Sequence, residues 1–567
     1  MRLPHLSLRA FFAAGAAVIS ILIFFYTKYL INILQTTKLS ELLGLQYTLS
    51  PIFNRFITIR FLFIIFGIIM ILRSPVRSIS KAIKFFSRNH TIIAIFSFVI
   101  YTVFVIDFFS GGRFRSIPVL QDDYAVHYSD AIELAEHLKN GVRLWGYSPY
   151  FCSGMISFCV DALWPALFIL LFEGILGAAF AFNLSILSSL LVPVLLIWLT
   201  SINFGINNQK RTLLLILNML AITGIPPLFQ FYSFGCNGFV LASYIAMYVL
   251  SLVYHSTYNT SMWRFFLLIL SGLFLAILHP LGALTFILIF IPFPLVYKKQ
   301  ISKKILLWWL SGLLIVLSVS STWLIPYFTV YPGKDNLIRA YMQTSPTLLF
   351  TTLLENKPFS ILLFLSAVSG YTIFTKQEQN KNGFSRLKLF ITGAFFLSVV
   401  AFFGTQAGLA DSQPQRFIIP LVIMLTLIIS TATRHTHSTK IIRVVSLLAL
   451  IIIVEPGSQR YIYRSDYPDD LQKIISFLSA SNDNRRILIQ DSDTHPYTYT
   501  HISAWLPHGT SMETTAHPYT GLKPKFTQFR ADTLFDQPLD QLRTADLKSY
   551  FELYNIGWII VYSQSAR

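Results

Sequence analysis

The sequence predicts a polytopic all-α membrane protein of about 13 transmembrane helices with a small C-terminal extracytoplasmic α/β domain, on three observations. Apolar stretches of spanning length recur from Ala10 to Val454. Charged residues make up only 12% of the 567-residue chain, at a mean hydropathy of +0.60, where soluble domains carry about 25%. The basic residues cluster in the short segments between apolar stretches, the bias of cytoplasmic loops.

The spans follow in order when stretches of roughly 17 to 25 apolar residues are checked against those loops. Residues 10–29 run outward, 56–72 return, and 92–109 run outward to a long polar loop over 111–161. The first segment has a long apolar stretch and no small-residue cleavage pattern, so it reads as retained rather than as a signal peptide. Residues 164–173 are too short to span and suit the interface, while 177–199 return to the basic segment 209–211. Four alternating spans, 213–231, 239–254, 264–278 and 281–297, end at Lys298, Lys299, Lys303 and Lys304, on the inside.

Residues 306–330 run out to a polar stretch ending at Pro358, and 359–374 return to a basic loop with Lys376, Lys381, Arg386 and Lys388. Residues 389–404 run out, 417–433 return to Arg434, Lys440 and Arg443, and 442–454 make the last crossing. The odd count closes a transmembrane unit over 1–454 and leaves 455–567 outside. In this tail, residues 468–478 and 542–553 read as helices, and 486–490 and 558–562 as strands; their interleaving predicts a small α/β or α+β domain. The sidedness suits a bacterial cytoplasmic membrane with an extracytoplasmic tail. An endoplasmic reticulum is the other reading, and the lack of a dense cysteine framework favours the former.

The formal charge of +18 does not point to nucleic acid. The tail from Glu455 on carries 11 basic and 13 acidic residues, so the excess lies in the membrane part, with 33 basic against 13 acidic. Its clusters, such as Arg73, Arg77, Lys81, Lys84 and Arg88, fix orientation instead. The three cysteines, Cys152, Cys159 and Cys236, form no CxxC pair and read as thiols, one disulfide among them being the alternative. No Gly-rich phosphate loop, Gly-x-Ser-x-Gly elbow or repeat period is present, which excludes those routes to nucleotide or ester hydrolysis and a repeat array.

The first long outer loop concentrates the scarce charge. Its start, Gln-Asp-Asp-Tyr-Ala-Val-His-Tyr-Ser-Asp over 121–130, sets Asp123, His127 and Asp130 on one face if helical. An amphipathic stretch with Ile132, Ala135 and Leu138 follows, then the turn-rich aromatic segment Gly-Val-Arg-Leu-Trp-Gly-Tyr-Ser-Pro-Tyr over 141–150. In structural terms Asp122 and Asp123 would cap the helix. In functional terms a carboxylate there would bind and partly deprotonate an incoming acceptor.

This pattern, an acidic residue with His four later, an amphipathic stretch and Gly-x-x-x-Trp-Gly-Tyr-x-Pro-Tyr, resembles the GT-C superfamily of integral-membrane glycosyltransferases. It looks nearest to the bacterial and archaeal branch labelled 6-pyruvoyl-tetrahydropterin-synthase-related or YfhO-like, a label that implies no pterin chemistry. The segment Tyr-Asn-Ile-Gly-Trp-Ile-Ile-Val over 554–561 is similar to a closing strand of that branch. The resemblance implies transfer of a sugar, with inversion, from a polyprenyl-phosphate carrier to a glycan, lipid or protein acceptor at the outer face. Asp123 matches the acidic position and would be the base, with Asp122 and His127 beside it.

The doubled Asp also resembles the metal-binding acids of oligosaccharyltransferases in the same superfamily. Asp335, Glu355 and Asp411, however, stand alone in the other outer loops, so no cofactor is expected, a divalent metal being the lesser alternative.

A lipid-linked phosphate needs cations near the outer boundary. Arg416, at the outer head of a late span in Ser-Gln-Pro-Gln-Arg-Phe, resembles a family Arg-Phe feature and is the first candidate, a snorkelling helix anchor being the alternative. Lys334, Arg339 and Arg143 rank lower. His279, before Pro280 in an apolar stretch, resembles the family's His-Pro; it would otherwise bond carbonyls freed at the turn. Tyr147, Tyr150 and Trp164 could stack on sugar or sit as interfacial aromatics, and Glu173 is a site group or an interfacial one. The histidines of the tail, His495, His501, His508 and His517, lack paired metal spacing and read as scattered surface groups. A flippase for a lipid-linked glycan is the rival function, though few ionisable groups fall inside spans; a scaffold acting through the tail is the third.

Overall fold

The computed structural model describes residues 91–105 in part, 118–119, 123–141, 143–158, 162–225, 231–232, 235–330, 346–355, 357–374, 381–409, 413–432, 469–490, 501–516, 529–530, 533–534, 537–561 and 564. The predicted spans at 10–29, 56–72 and 442–454, the boundary at 454/455, and Asp122, Lys334 and Arg339 lie outside them.

Helix α1 (Tyr124–Gly141) follows the turn at Asp123 and is joined by a hairpin, β1 (Trp145–Ser148) and β2 (Met155–Phe158), to α2 (Leu163–Leu176). The hairpin pairs antiparallel, Trp145 opposite Phe158 and Ser148 opposite Met155. Gly177 takes φ +81 between α2 and α3 (Ala178–Asn203), a conformation that suits a residue without Cβ. Helix α4 (Asn208–Gly224) starts where the Asn207 side chain accepts the Lys210 N–H at 3.0 Å. Helices α5 (Asn237–Ser256), α6 (Met262–Leu278), α7 (Pro280–Phe290), α8 (Pro292–Tyr297) and α9 (Lys303–Val330) follow, Pro292 opening α8 directly after α7.

Then come α10 (Pro346–Glu355), α11 (Lys357–Phe374), α12 (Lys381–Phe403), a 3-10 turn (Pro414–Phe417) and α13 (Ile418–Ala432). Two expectations are corrected here. The polar stretch before Pro358 contains α10, since its leucines and phenylalanine give it an apolar face that the flanking polar residues hide in composition. The basic loop around Lys381, Arg386 and Lys388 is the opening of α12, because lysine and arginine are good helix formers and a basic cluster marks a membrane side rather than a loop.

Among the described residues six helices are long and apolar enough to cross a membrane, and 163–176, 262–278 and 359–369 are shorter apolar helices. The central pair is α5 and α13, whose apolar windows are 83% and 89% buried, against 17% for α9, which turns Leu307, Leu313, Leu314 and Leu317 outward. Small and hydroxylated residues let the centre pack: Ser243, Thr426 and Ser430 are buried and donate to carbonyls one turn back. Asn218 Nδ2 donates to Thr426 Oγ1 at 3.0 Å, and Tyr244 donates to Asn218 Oδ1 at 3.2 Å, tying α4, α13 and α5 together.

In the tail, α14 (Asp469–Ser479) precedes β3 (Arg486–Ile489), α15 (Ile502–Thr510), the short antiparallel strands β4 (Phe529–Arg530), β5 (Thr533–Leu534) and β6 (Gln537–Pro538), α16 (Thr544–Leu553) and β7 (Ile556–Ile560). Strands β3 and β7 pair in parallel, Leu488 opposite Ile559. Leu471, Leu478, Ile487, Ile489 and Leu506 form one small core; Leu488, Phe529, Leu534 and Tyr550 form another. Helix α15 packs on α1, and its Ala504 and Trp505 join the core of the helical bundle.

Candidate functional site

Helices α1, α2, α3, α5 and α7 and the 3-10 turn that opens α13 surround a cavity open to solvent. Asp123, Tyr124 and His127 line it from α1, and His279 and Arg416 from the heads of α7 and α13. Trp164, Phe182 and Phe239 supply aromatic walls, and Gly235, Cys236 and Asn237 supply a turn. Helix N-termini carry partial positive charge, so the cavity favours an anion.

Asp123 stands at the head of α1, where its carbonyl accepts the His127 N–H at 2.9 Å. Tyr124, fully buried, donates to the Tyr232 carbonyl and to Asn237 Oδ1 at 3.1 Å, which anchors this turn to the start of α5. Gly235 fits beneath at φ +89: a Cβ there would lie 3.1 Å from the Asp123 Cβ and 3.2 Å from the Tyr124 nitrogen. The Asp123 carboxylate meets His501 from the tail, Oδ1 to Nε2 at 3.4 Å, with side chains 34% and 17% exposed. Burial pushes the Asp123 carboxyl up, but the His501 contact and the charges of His127, His501 and Arg416 outweigh it and hold the carboxyl below its ordinary value.

His279 caps α7: its Nδ1 accepts the Leu281 N–H at 3.1 Å. In the neutral ring that cap puts the proton on Nε2. Arg416 Nη1 lies 3.3 Å from this Nε2, so two donors stand side by side at the cavity. Arg416 is aimed by the 3-10 turn, whose start at Gln413 takes φ +48, and Gly404 lets Pro414 approach closely. The Arg416 Nε is buried without an acceptor among the described residues.

The sequence candidates thus separate. Asp123, His127, His279 and Arg416 share the cavity. Asp130, on α1, does not line it. Arg143 is exposed after α1, and Tyr147 is exposed on β1, away from the lining residues. Tyr150 packs tilted against His508, ring centres 5.2 Å apart, outside the cavity. Glu173 pairs with Lys139 at 2.6 Å.

The tail histidines correct the reading of scattered surface groups. His501 meets Asp123, and His508 Nε2 contacts Ser129 Oγ at 2.8 Å; His495 and His517 lie outside the described residues. The signal missed was a partner on another element, since spacing along one helix reveals only local pairs. Cys236 lines the cavity as a thiol, and Cys152 is a buried one. Among the described residues no three His, Cys, Asp or Glu side chains form a metal-holding group, and Asp123 is the one carboxylate among the cavity's lining residues.

No family model and no curated protein matches the chain. Among solved structures, the apo form of the Archaeoglobus fulgidus oligosaccharyltransferase matches with a TM-score of 0.51 at 10% identity, over 83% of this chain and 69% of that one. The chain therefore has an overall fold like that of this oligosaccharyltransferase. No family model supports the finer resemblance to the YfhO-like branch, which rests on sequence motifs, chiefly those over 121–150 and 554–561.

Proposed function

We propose that the chain is an inverting glycosyltransferase that moves a sugar from a polyprenyl-phosphate carrier to a glycan, lipid or protein acceptor at the outer face of the membrane. The observation that carries this reading is the convergence of one carboxylate, Asp123, with a paired cationic head, Arg416 and His279, in one cavity of a GT-C-like fold. Asp123 accepts the hydrogen bond of the acceptor hydroxyl and orients it. As the acceptor oxygen bonds to the anomeric carbon, its proton passes to Asp123. The carbon–oxygen bond to phosphate breaks, and its electron pair leaves with the phosphate. Arg416 Nη1 and His279 Nε2–H both donate to that oxyanion as its charge grows.

The lowered pKa of Asp123 fits this order of events. A carboxylate below its ordinary range is a weak base at rest and a sound acceptor for orientation, so its proton arrives only as the attacking oxygen turns acidic. Trp164, half-buried at the cavity, offers an apolar face to the sugar. His127 lends charge beside Asp123. The proposed step uses no metal.

The test is transfer by the purified protein in lipid nanodiscs, given polyprenyl-phosphate sugars and, in parallel, nucleotide sugars. Product from the lipid-linked donor alone supports the reading. Flux of intact labelled lipid without transfer would replace it with the flippase.

A further inference from the structure

We infer that His501, delivered from the C-terminal segment, is a positioning residue for Asp123, so that the site is complete only when helix α15 is seated along helix α1. This deepens the transferase reading and rests on it for its consequence, while the contact itself can be tested apart from transfer.

Two attachments run along the two elements in step. His501 meets Asp123 at 3.4 Å, and His508 meets Ser129 at 2.8 Å across 379 positions of sequence. From 123 to 129 on α1 and from 501 to 508 on α15 the chain advances by nearly the same rise, roughly 9 to 11 Å at about 1.5 Å per residue, so the two run side by side in one direction. Beyond them the segment continues along the hairpin: Thr514 N–H donates to the Tyr150 carbonyl at 2.8 Å, and Cys152 N–H to the Ala516 carbonyl at 3.1 Å. Between the attachments, Ala504 and Trp505 are buried in the bundle core.

His501 is therefore held, rather than merely near. It takes a left-handed backbone conformation, φ +39 and ψ +52, at the head of α15, a position a non-glycine residue keeps only when its surroundings require it. Its ring reaches one carboxylate oxygen, Oδ1, which fixes the rotation of the carboxylate while Asp123 lines the cavity. A base whose orientation is fixed by a second group works from a narrower range of geometries, and loosening it lowers the rate more than the binding.

The experiment compares the full-length protein in nanodiscs with His501→Ala, His501→Gln and Asp123→Asn, by transfer kinetics with a polyprenyl-phosphate sugar and by amide exchange over 127–130. Expected for His501→Ala are a fall of tenfold or more in kcat, a donor KM within threefold of wild type, and faster exchange at the His127 amide. His501→Gln keeps an N–H donor of similar reach and returns kcat to within threefold. Unchanged kcat and exchange in His501→Ala overturn the proposal, as does an equal loss in Ala and Gln variants accompanied by general unfolding. A wild type without transferase activity would sink the transferase reading, and exchange alone would then decide whether His501 fixes Asp123.

Discussion

Arg416 Nη1 stands 3.3 Å from His279 Nε2, and the Leu281 cap on the other ring nitrogen makes both of them donors. Two proton-bearing nitrogens this close cannot satisfy each other; an oxyanion between them satisfies both. Arg416→Ala is expected to lower kcat/KM for the donor roughly 10- to 100-fold, from the loss of about 1.5–3 kcal/mol in a charged hydrogen bond. Arg416→Lys restores only part, because an ammonium lacks the planar fork. Steady-state kinetics check this, and an unchanged kcat/KM in Arg416→Ala would assign the residue to helix anchoring.

Gly235 bears on the same site from below. A methyl group there meets the Asp123 Cβ and the Tyr124 nitrogen at φ +89, so Gly235→Ala is expected to cost about 1–3 kcal/mol of local stability and to misplace Asp123. Gly174, where an added Cβ meets nothing within 4 Å, is the control. Thermal unfolding and kcat should both fall in the first variant and stay near wild type in the second. Equal behaviour of the two would show that the turn tolerates a side chain.

Glu133 predicts a pH dependence of stability. It is buried on α1, accepts the Ser148 hydroxyl at 2.7 Å, and burial, only partly offset by Ser148 and Ser157, pushes its carboxyl up to about 7. Between the ordinary 4.5 and that value the unfolded chain binds fewer protons than the folded one, so stability falls as pH rises. The full effect is roughly 3 kcal/mol at about 1.4 kcal/mol per pKa unit. Glu133→Gln should remove this slope between pH 5 and 8, read as the unfolding midpoint against pH. A slope that survives the substitution belongs to another group.

His508 gives the opposite sign. Burial pushes it down to about 4 from 6.5, so the folded state holds it neutral beside Ser129 while the unfolded state takes up a proton. Stability from this group is present above 6.5 and is lost as pH falls toward 4. The protection factor over 502–510, corrected for the intrinsic exchange rate at each pH, should fall on acidification through that window in wild type, and the dependence should flatten in His508→Gln. A protection factor independent of pH in wild type would contradict the neutral ring.

The residues that were legible in the sequence are those whose polarity is out of place. Asp123, His127, His279 and Arg416 stand near helix heads in a chain where charge is scarce, and they line one cavity. Gly235 and His501 were not legible, because each acts through a partner that is remote in sequence: the glycine through a left-handed turn under Asp123, the histidine through a helix from the tail. Helix α10 and the first turns of α12 were hidden for a different reason. Polar and basic residues there describe which side of the membrane the chain has reached, and not whether it is helical. The parallel pairing of β3 with β7 likewise follows from a contact between distant segments that local alternation does not encode.

The central claim, that Asp123 handles the acceptor proton, is tested most directly by single-turnover transfer in Asp123→Asn, with the donor prebound and the wild-type fold verified by its unfolding midpoint. The account predicts a fall of about 100-fold or more, in the range of general-base contributions, with donor affinity within threefold of wild type. Transfer by Asp123→Asn at the wild-type rate would contradict it.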